Sequence, residues 1–160
     1  QMSHHVYFES AAGICTFVLL GRYMEERAKG KASEAIRKLI ELQPDSAQAY
    51  NALGYSYADR NIRLPEARQL IEKALQLAPN DPFILDSMGW VLYRQGDLEG
   101  ALGYLQRAHS QRPDPEIAAH TGEVLWMLGR KEEARHTLRE AQKKDPSSEI
   151  LTEAIKRFAP

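Results

Sequence analysis

Apolar positions along this chain fall three and four residues apart, the spacing that gathers them on one face of an α-helix. Over residues 82–113, PFILDSMGWVLYRQGDLEGALGYLQRAHSQRP, two such stripes follow one another. Leu85, Met88, Gly89 and Leu92 form the first, and Ala101, Leu102, Leu105 and Ala108 the second. Gly96 marks a turn between them. Pro113 ends the second stripe, because proline cannot continue a helical ladder. The pattern predicts two short helices whose backbones approach closely where the small residues Gly89, Ala101 and Ala108 stand.

This pair recurs. Gly54, Gly89 and Gly122 are 35 and 33 residues apart, Ala67, Ala101 and Ala134 are 34 and 33 apart, and Pro79, Pro113 and Pro146 are 34 and 33 apart. Three kinds of marker thus keep one period near ~34 residues, the signature of a helical-repeat solenoid. The Leu-Gly, Ala, Ala and Pro offsets over residues 45–146 resemble the tetratricopeptide repeat (TPR). That resemblance implies an all-α, TPR-type solenoid of helical hairpins, with repeats at 45–80, 81–113 and 114–146 and a capping helix over 147–160. In the first repeat Ser46 is an N-cap candidate and Pro65 fits a first helical turn. Asn61 occupies the place of the turn glycine, and asparagine tolerates the left-handed conformation. In the capping helix Ile150, Leu151, Ala154, Ile155 and Phe158 form the apolar side, with Glu149, Glu153, Lys156 and Arg157 outside.

The segments YNALGYSYADR, DPFILDSMGWVLYRQGDLEGAL and DPEIAAHTGEVLWMLGRKEEAR are similar in particular to the C-terminal repeats of proteobacterial TPR lipoproteins that scaffold envelope proteases and cell-wall hydrolases. For such a parent the resemblance implies the bacterial cytoplasm or the periplasmic side of the envelope.

Residues 1–44 read differently. The chain opens Gln-Met-Ser-His-His, which reads as the cut edge of a fragment, with His4 and His5 as sequence context. YFESAA, then LLGRYMEERAKGKASEAIRKLI and LQP, resemble the helix of heavy-metal-transporting P-type ATPases that leads from the membrane into their actuator domain. A Cys-Pro-Cys metal motif and an Asp-Lys-Thr-Gly phosphorylation motif are absent from the sequence, so the resemblance implies no transport, and a natural or engineered chimera is the simplest account. The uncharged run from Ser10 to Gly21 is only twelve residues, short of the ~20 a spanning helix needs, so membrane insertion is not expected.

Gly21 and Pro44 also extend the repeat period backwards, by 33 and 35 residues. A hairpin turning at Lys29-Gly30-Lys31 would bury Phe17, Leu20, Gly21 and Met24 on one helix and Ala32, Ile36 and Leu39 on the next, as a degenerate first repeat. One continuous helix over about residues 7–42 would be ~54 Å long and would leave Phe17 and Leu20 in need of a second chain. The burial at stake, ~1.5–3 kcal/mol per large side chain against about 1 for one helical glycine, favours the hairpin and keeps a homodimer through residues 6–44 as the alternative.

Composition narrows the function. A net charge of −1 with 27% charged residues predicts no basic face, and hence no nucleic-acid partner. His109, His120 and His136 have no second ligand at metal-site spacing and read as solvated, while Cys15 reads as a small buried hydrophobe. Neither a phosphate loop nor a nucleophile motif is present, so no enzyme, metal or cofactor is expected. In TPR proteins the first helices of successive repeats line a groove that takes a protein or peptide ligand. Carried over by alignment, that groove comprises Asn51, Tyr55 and Asp59, then Asp86, Trp90, Tyr93 and Arg94, then Glu123 and Trp126, flanked by Gln48, Phe83, Glu116, Ala119 and Met127. Aromatics among carboxylates suit a partner with apolar anchors and a basic residue or two. The basic clamp of chaperone-binding TPR domains is not reproduced at Asn51, Tyr55, Asp86 and Trp90. The alternative for Trp90, Tyr93 and Trp126 is packing between helices.

Overall fold

The computed structural model describes residues 3–159, with side-chain surroundings from Ser10 onward; the side chains of His4 and His5 lie outside the described residues. Among them every regular element is helical: α1 (Ser3–Leu42), α2 (Ala47–Asp59), α3 (Leu64–Leu77), α4 (Pro82–Arg94), α5 (Leu98–Gln111), α6 (Pro115–Met127), α7 (Lys131–Lys144) and α8 (Glu149–Phe158). The starts are set locally. Ser46, Asp81, Asp97, Asp114 and Ser148 each accept a hydrogen bond from a backbone N–H of the first turn, an arrangement worth about 1 kcal/mol per helix.

Three packing relations repeat along the chain. α2 with α3, α4 with α5, and α6 with α7 form the hairpins; α3 with α4, α5 with α6, and α7 with α8 join them; α2, α4, α6 and α8 lie side by side. A methyl group on Gly54, Gly89 or Gly122 would stand 2.6 Å from a side-chain carbon of Ile71, Leu105 or Leu138 respectively. The periodic glycines are therefore the points of closest approach within each hairpin. Leu53, Ile71, Ile84, Val91, Leu105 and Val124 fill the interior around them. At the first turn Asn61 takes φ 54°, as its sequence position predicts, and Arg63 is also left-handed at φ 47°. The second left-handed residue absorbs the extra residue of that loop.

The amino-terminal hairpin is not formed. α1 runs unbroken through Lys29-Gly30-Lys31. One glycine costs a helix only about 1 kcal/mol, and the surrounding Ala, Glu, Lys and Arg are strong helix formers. Among the described residues, its carboxyl-terminal part packs against α2, in the place that a second helix of a preceding repeat would take. The contacting face is Ser33, Ile36, Arg37 and Ile40 rather than Ala32, Ile36 and Leu39. Arg37 Nη2 donates to Tyr57 Oη at 2.7 Å and pairs with Glu66 at 2.5 Å, and Arg60 pairs with Glu26 at 2.6 Å. Because nothing folds back, Phe17 is 77% and Met24 62% exposed, and Cys15 is exposed rather than buried. Among the described residues no helix is long and apolar enough to cross a membrane.

Candidate functional site

The face shared by α2, α4, α6 and α8 brings together side chains that are far apart in sequence. On α4, Asp86, Trp90 and Arg94 follow at four-residue spacing and so stand in line; on α6, Glu116, His120 and Glu123, four and three residues apart, share one face. His120 Nδ1 lies 2.9 and 3.1 Å from the two Asp86 carboxylate oxygens. An ionised carboxylate only accepts, so Nδ1 carries the proton. The imidazole stacks on Trp90, with ring centroids 4.0 Å apart and planes at 19°. Trp90 also meets the Tyr93 ring at 4.9 Å and the Arg94 guanidinium at 4.9 Å. Tyr55 Oη donates to Glu116 Oε1 at 2.8 Å, and Tyr93 Oη donates to Glu123 Oε1 at 2.9 Å. The two phenols tie α2 and α4 to α6 and fix both glutamates.

Burial and these acids perturb the titrating groups. Burial pulls His120 down, but the Asp86 hydrogen bond and the charges of Asp86, Glu116 and Glu123 outweigh it and hold the imidazole above its ordinary value. Burial, then the Glu123 bond, pushes the Tyr93 phenol up to about 12, and Tyr55 is raised by burial and Glu116. Both phenols therefore stay protonated donors at neutral pH.

Between α6 and α8 this face opens into a cavity of about 420 Å³. Ala119, Ala154, Phe158 and Ile150 give it an apolar floor beside Trp90, and Glu116, Glu123, Glu149 and Glu153 stand around it with Arg157. Ile150, expected among buried residues, is 50% exposed here. A second cavity of about 340 Å³ lies between α5, α6 and α7, lined by His109, His136, Glu140 and Lys144. It is formed by second helices and a repeat boundary and takes none of the groove residues.

Six of the nine residues expected from the sequence, Tyr55, Asp86, Trp90, Tyr93, Arg94 and Glu123, meet on the shared face. Asn51 sits one turn before Tyr55 on α2, with its Oδ1 enclosed and unpaired among the described residues. Asp59 engages through its backbone, its carbonyl accepting from Arg94 Nη2 at 3.2 Å. Trp126 stands apart from the cluster: it packs on Phe158 at 6.4 Å, with Lys131 and Arg135 over its ring. The two readings of the aromatics thus divide, since Trp90 is only 5% exposed and serves as floor rather than free anchor. His120, expected in solvent, is a member of the cluster with a side chain 12% exposed. Its signal was the repeat period: Asp86 and His120 are 34 residues apart, which places them on neighbouring first helices.

The tetratricopeptide-repeat family model matches residues 23–82 and 87–149. The chain belongs to the tetratricopeptide-repeat family. It is 57% identical over 88 residues to a TPR repeat-containing protein of Pseudomonas aeruginosa, covering 55% of this chain and 15% of that one. It is also 60% identical over 88 residues to copper-transporting ATPase 2 of Rhizobium meliloti, covering 54% of this chain and 10% of the ATPase. The chain therefore spans a small part of the curated relatives it matches. A thermophilic TPR protein of Thermus thermophilus shares the fold with a TM-score of 0.73 at 20% identity, over 85% of this chain and 74% of that one. The match starting at Tyr23 agrees with α1 supplying a second helix without its first. The fold is consistent with a scaffold for protein–protein interaction.

Proposed function

We propose that this TPR protein is a non-catalytic scaffold whose α2–α4–α6–α8 face captures a segment of a partner protein. The observation that carries this reading is the clustering of Tyr55, Trp90, Tyr93 and His120 among the carboxylates of Asp86, Glu116 and Glu123 on one face with an open cavity. Fixed, already desolvated rings lower the ordering cost of binding, and the acids favour a basic segment. The test is panning of a displayed library of random twelve-residue peptides on the chain. Enriched peptides should lose at least tenfold in affinity to Tyr93→Ala/Arg94→Ala, with the melting of the variant compared with the parent because both side chains pack on Trp90. No enrichment, or peptides indifferent to the pair, would overturn the reading.

A second reading concerns α1, whose amino-terminal half exposes Ile14, Phe17, Leu20 and Met24. Residues 6–44 then join two copies of the chain, and solution mass distinguishes this from a monomer.

A further inference from the structure

The cavity between α6 and α8 carries more charge than a general peptide groove requires. Four carboxylates surround it, and the Arg157 guanidinium and His120, whose Nδ1 already faces Asp86, are the basic groups that answer them. Glu116 and Glu123 come from one wall, Glu149 and Glu153 from the other. Tyr55 and Tyr93 hold the first pair through neutral hydroxyls, so those two charges are fixed in place but not neutralised. Arg157 lies over the Phe158 ring at 4.7 Å, and among the described residues it makes no ion pair with the four acids. Lys156 pairs with Glu153 from the same helix, at a contact where both side chains are 66% exposed and water screens most of the attraction.

Beneath the acids the floor is apolar. Ala154 and Phe158 are buried, and Ile150, one turn before Ala154, is half exposed into the opening. Apolar floor and acidic rim are the two surfaces that a long basic side chain beside an apolar one would match, its methylene stem lying on carbon and its charged head reaching the rim. A volume of about 420 Å³ falls within the ~300–1,000 Å³ of ligand pockets.

We propose that this cavity is the anchor seat of the groove, taking a lysine or arginine adjacent to a bulky apolar residue on the captured segment. The inference rests on the proposed peptide-binding role and assigns the capping helix a binding function of its own. α8 occupies the place of a fourth first helix, beside α6, and its Glu149-Glu153-Arg157 and Ile150-Ala154-Phe158 lines at four-residue spacing extend the groove by one helix. A captured segment would thus run from the Tyr55–Trp90–Tyr93 cluster toward α8 and end on its basic anchor.

The experiment uses the peptides enriched by panning the random twelve-residue library on the whole chain, then a fluorescein-labelled copy of the strongest in anisotropy titrations. The seat predicts enrichment of lysine or arginine next to leucine-sized or aromatic residues. It also predicts about a tenfold loss of affinity in Glu149→Gln/Glu153→Gln, a similar loss when the peptide's basic residue becomes glutamate, and further weakening when salt rises from about 0.15 to 0.5 M. Both glutamates are exposed, so the double variant should melt with the parent. Basic peptides that ignore Glu149→Gln/Glu153→Gln but respond to Tyr93→Ala/Arg94→Ala would overturn the seat and leave the groove standing. Acidic or uncharged winners would also overturn it, and no enrichment at all would overturn both readings.

Discussion

At the scale of single residues, the small positions that set the period also set the packing. Gly89→Ala places a methyl 2.6 Å from Leu105 Cγ and 3.1 Å from the Ala101 carbonyl oxygen, neither of which is a free side-chain end. Overpacking of this kind costs about 1–3 kcal/mol, more than the ~1 kcal/mol of helix propensity gained. Gly103, on the exposed side of α5, has nothing within 4 Å of its added methyl, so Gly103→Ala gains propensity without a clash. Urea melts should therefore move in opposite directions for the two variants, and a stabilised Gly89→Ala would refute the close approach. His120 gives the second prediction at this scale. Its folded pKa is raised, so the folded state holds the proton more tightly than the unfolded chain. That stability is complete below the ordinary value near ~6.5 and is lost as pH rises through the higher folded value. His109, held below its ordinary value by burial and by Lys144, acts in the opposite sense and at lower pH, so the diagnostic is the difference between parent and His120→Gln. Melting temperature should fall from pH 6 to 8 more in the parent than in the variant; equal slopes would remove the His120–Asp86 pair as the cause.

At the scale of elements, the three hairpins and the capping helix were legible because each stripe, cap and turn repeats at one period, and an error in one repeat is corrected by the others. The left-handed Asn61 was legible for the same reason, since its neighbours in register are Gly96 and Gly129, both at positive φ. Arg63 had no such counterpart, because the extra residue of its loop has no equivalent downstream. α1 was misread because Gly21 and Pro44 matched the period while local helix propensity, undivided by proline, ruled the segment. His120 was misread because spacing along one helix says nothing about a partner on the next. Glu149, Glu153 and Arg157 were legible as exposed, and the sequence held no further repeat that would align them with the first helices. The structure divides α1 into a free half and a docked half, which makes a third prediction. In dilute solution, amide exchange followed by mass spectrometry should be fast over residues 10–28, as for an isolated helix, and slow over 33–42, where Ser33, Ile36 and Ile40 meet α2. Uniform protection along α1 would contradict that division.

At the scale of the whole molecule, the free half of α1 decides whether the protein is one chain or two. Ile14, Phe17, Leu20 and Met24 fall within one side of the helix, at 64%, 77%, 50% and 62% exposure. Fully burying side chains of this size stabilises by about 1.5–3 kcal/mol each, so covering the exposed parts of four on each of two chains gains roughly 8–15 kcal/mol. Association costs about 4–15 kcal/mol in lost freedom, so the balance permits a concentration-dependent pair. Light scattering should then show a mass rising from 18.1 kDa toward twice that value across the micromolar range. Phe17→Glu/Leu20→Glu should hold the mass at the monomer value without changing the melting of the repeats, because both side chains are exposed. A parent that stays monomeric at every concentration would remove the dimer. Since α1 packs at the α2 end of the row and the acidic cavity lies at the α8 end, a pair formed through α1 leaves both cavities open. Such a dimer would present two anchor seats, and a partner with two basic segments would bind it more tightly than the Phe17→Glu/Leu20→Glu monomer by the effective concentration of the second site.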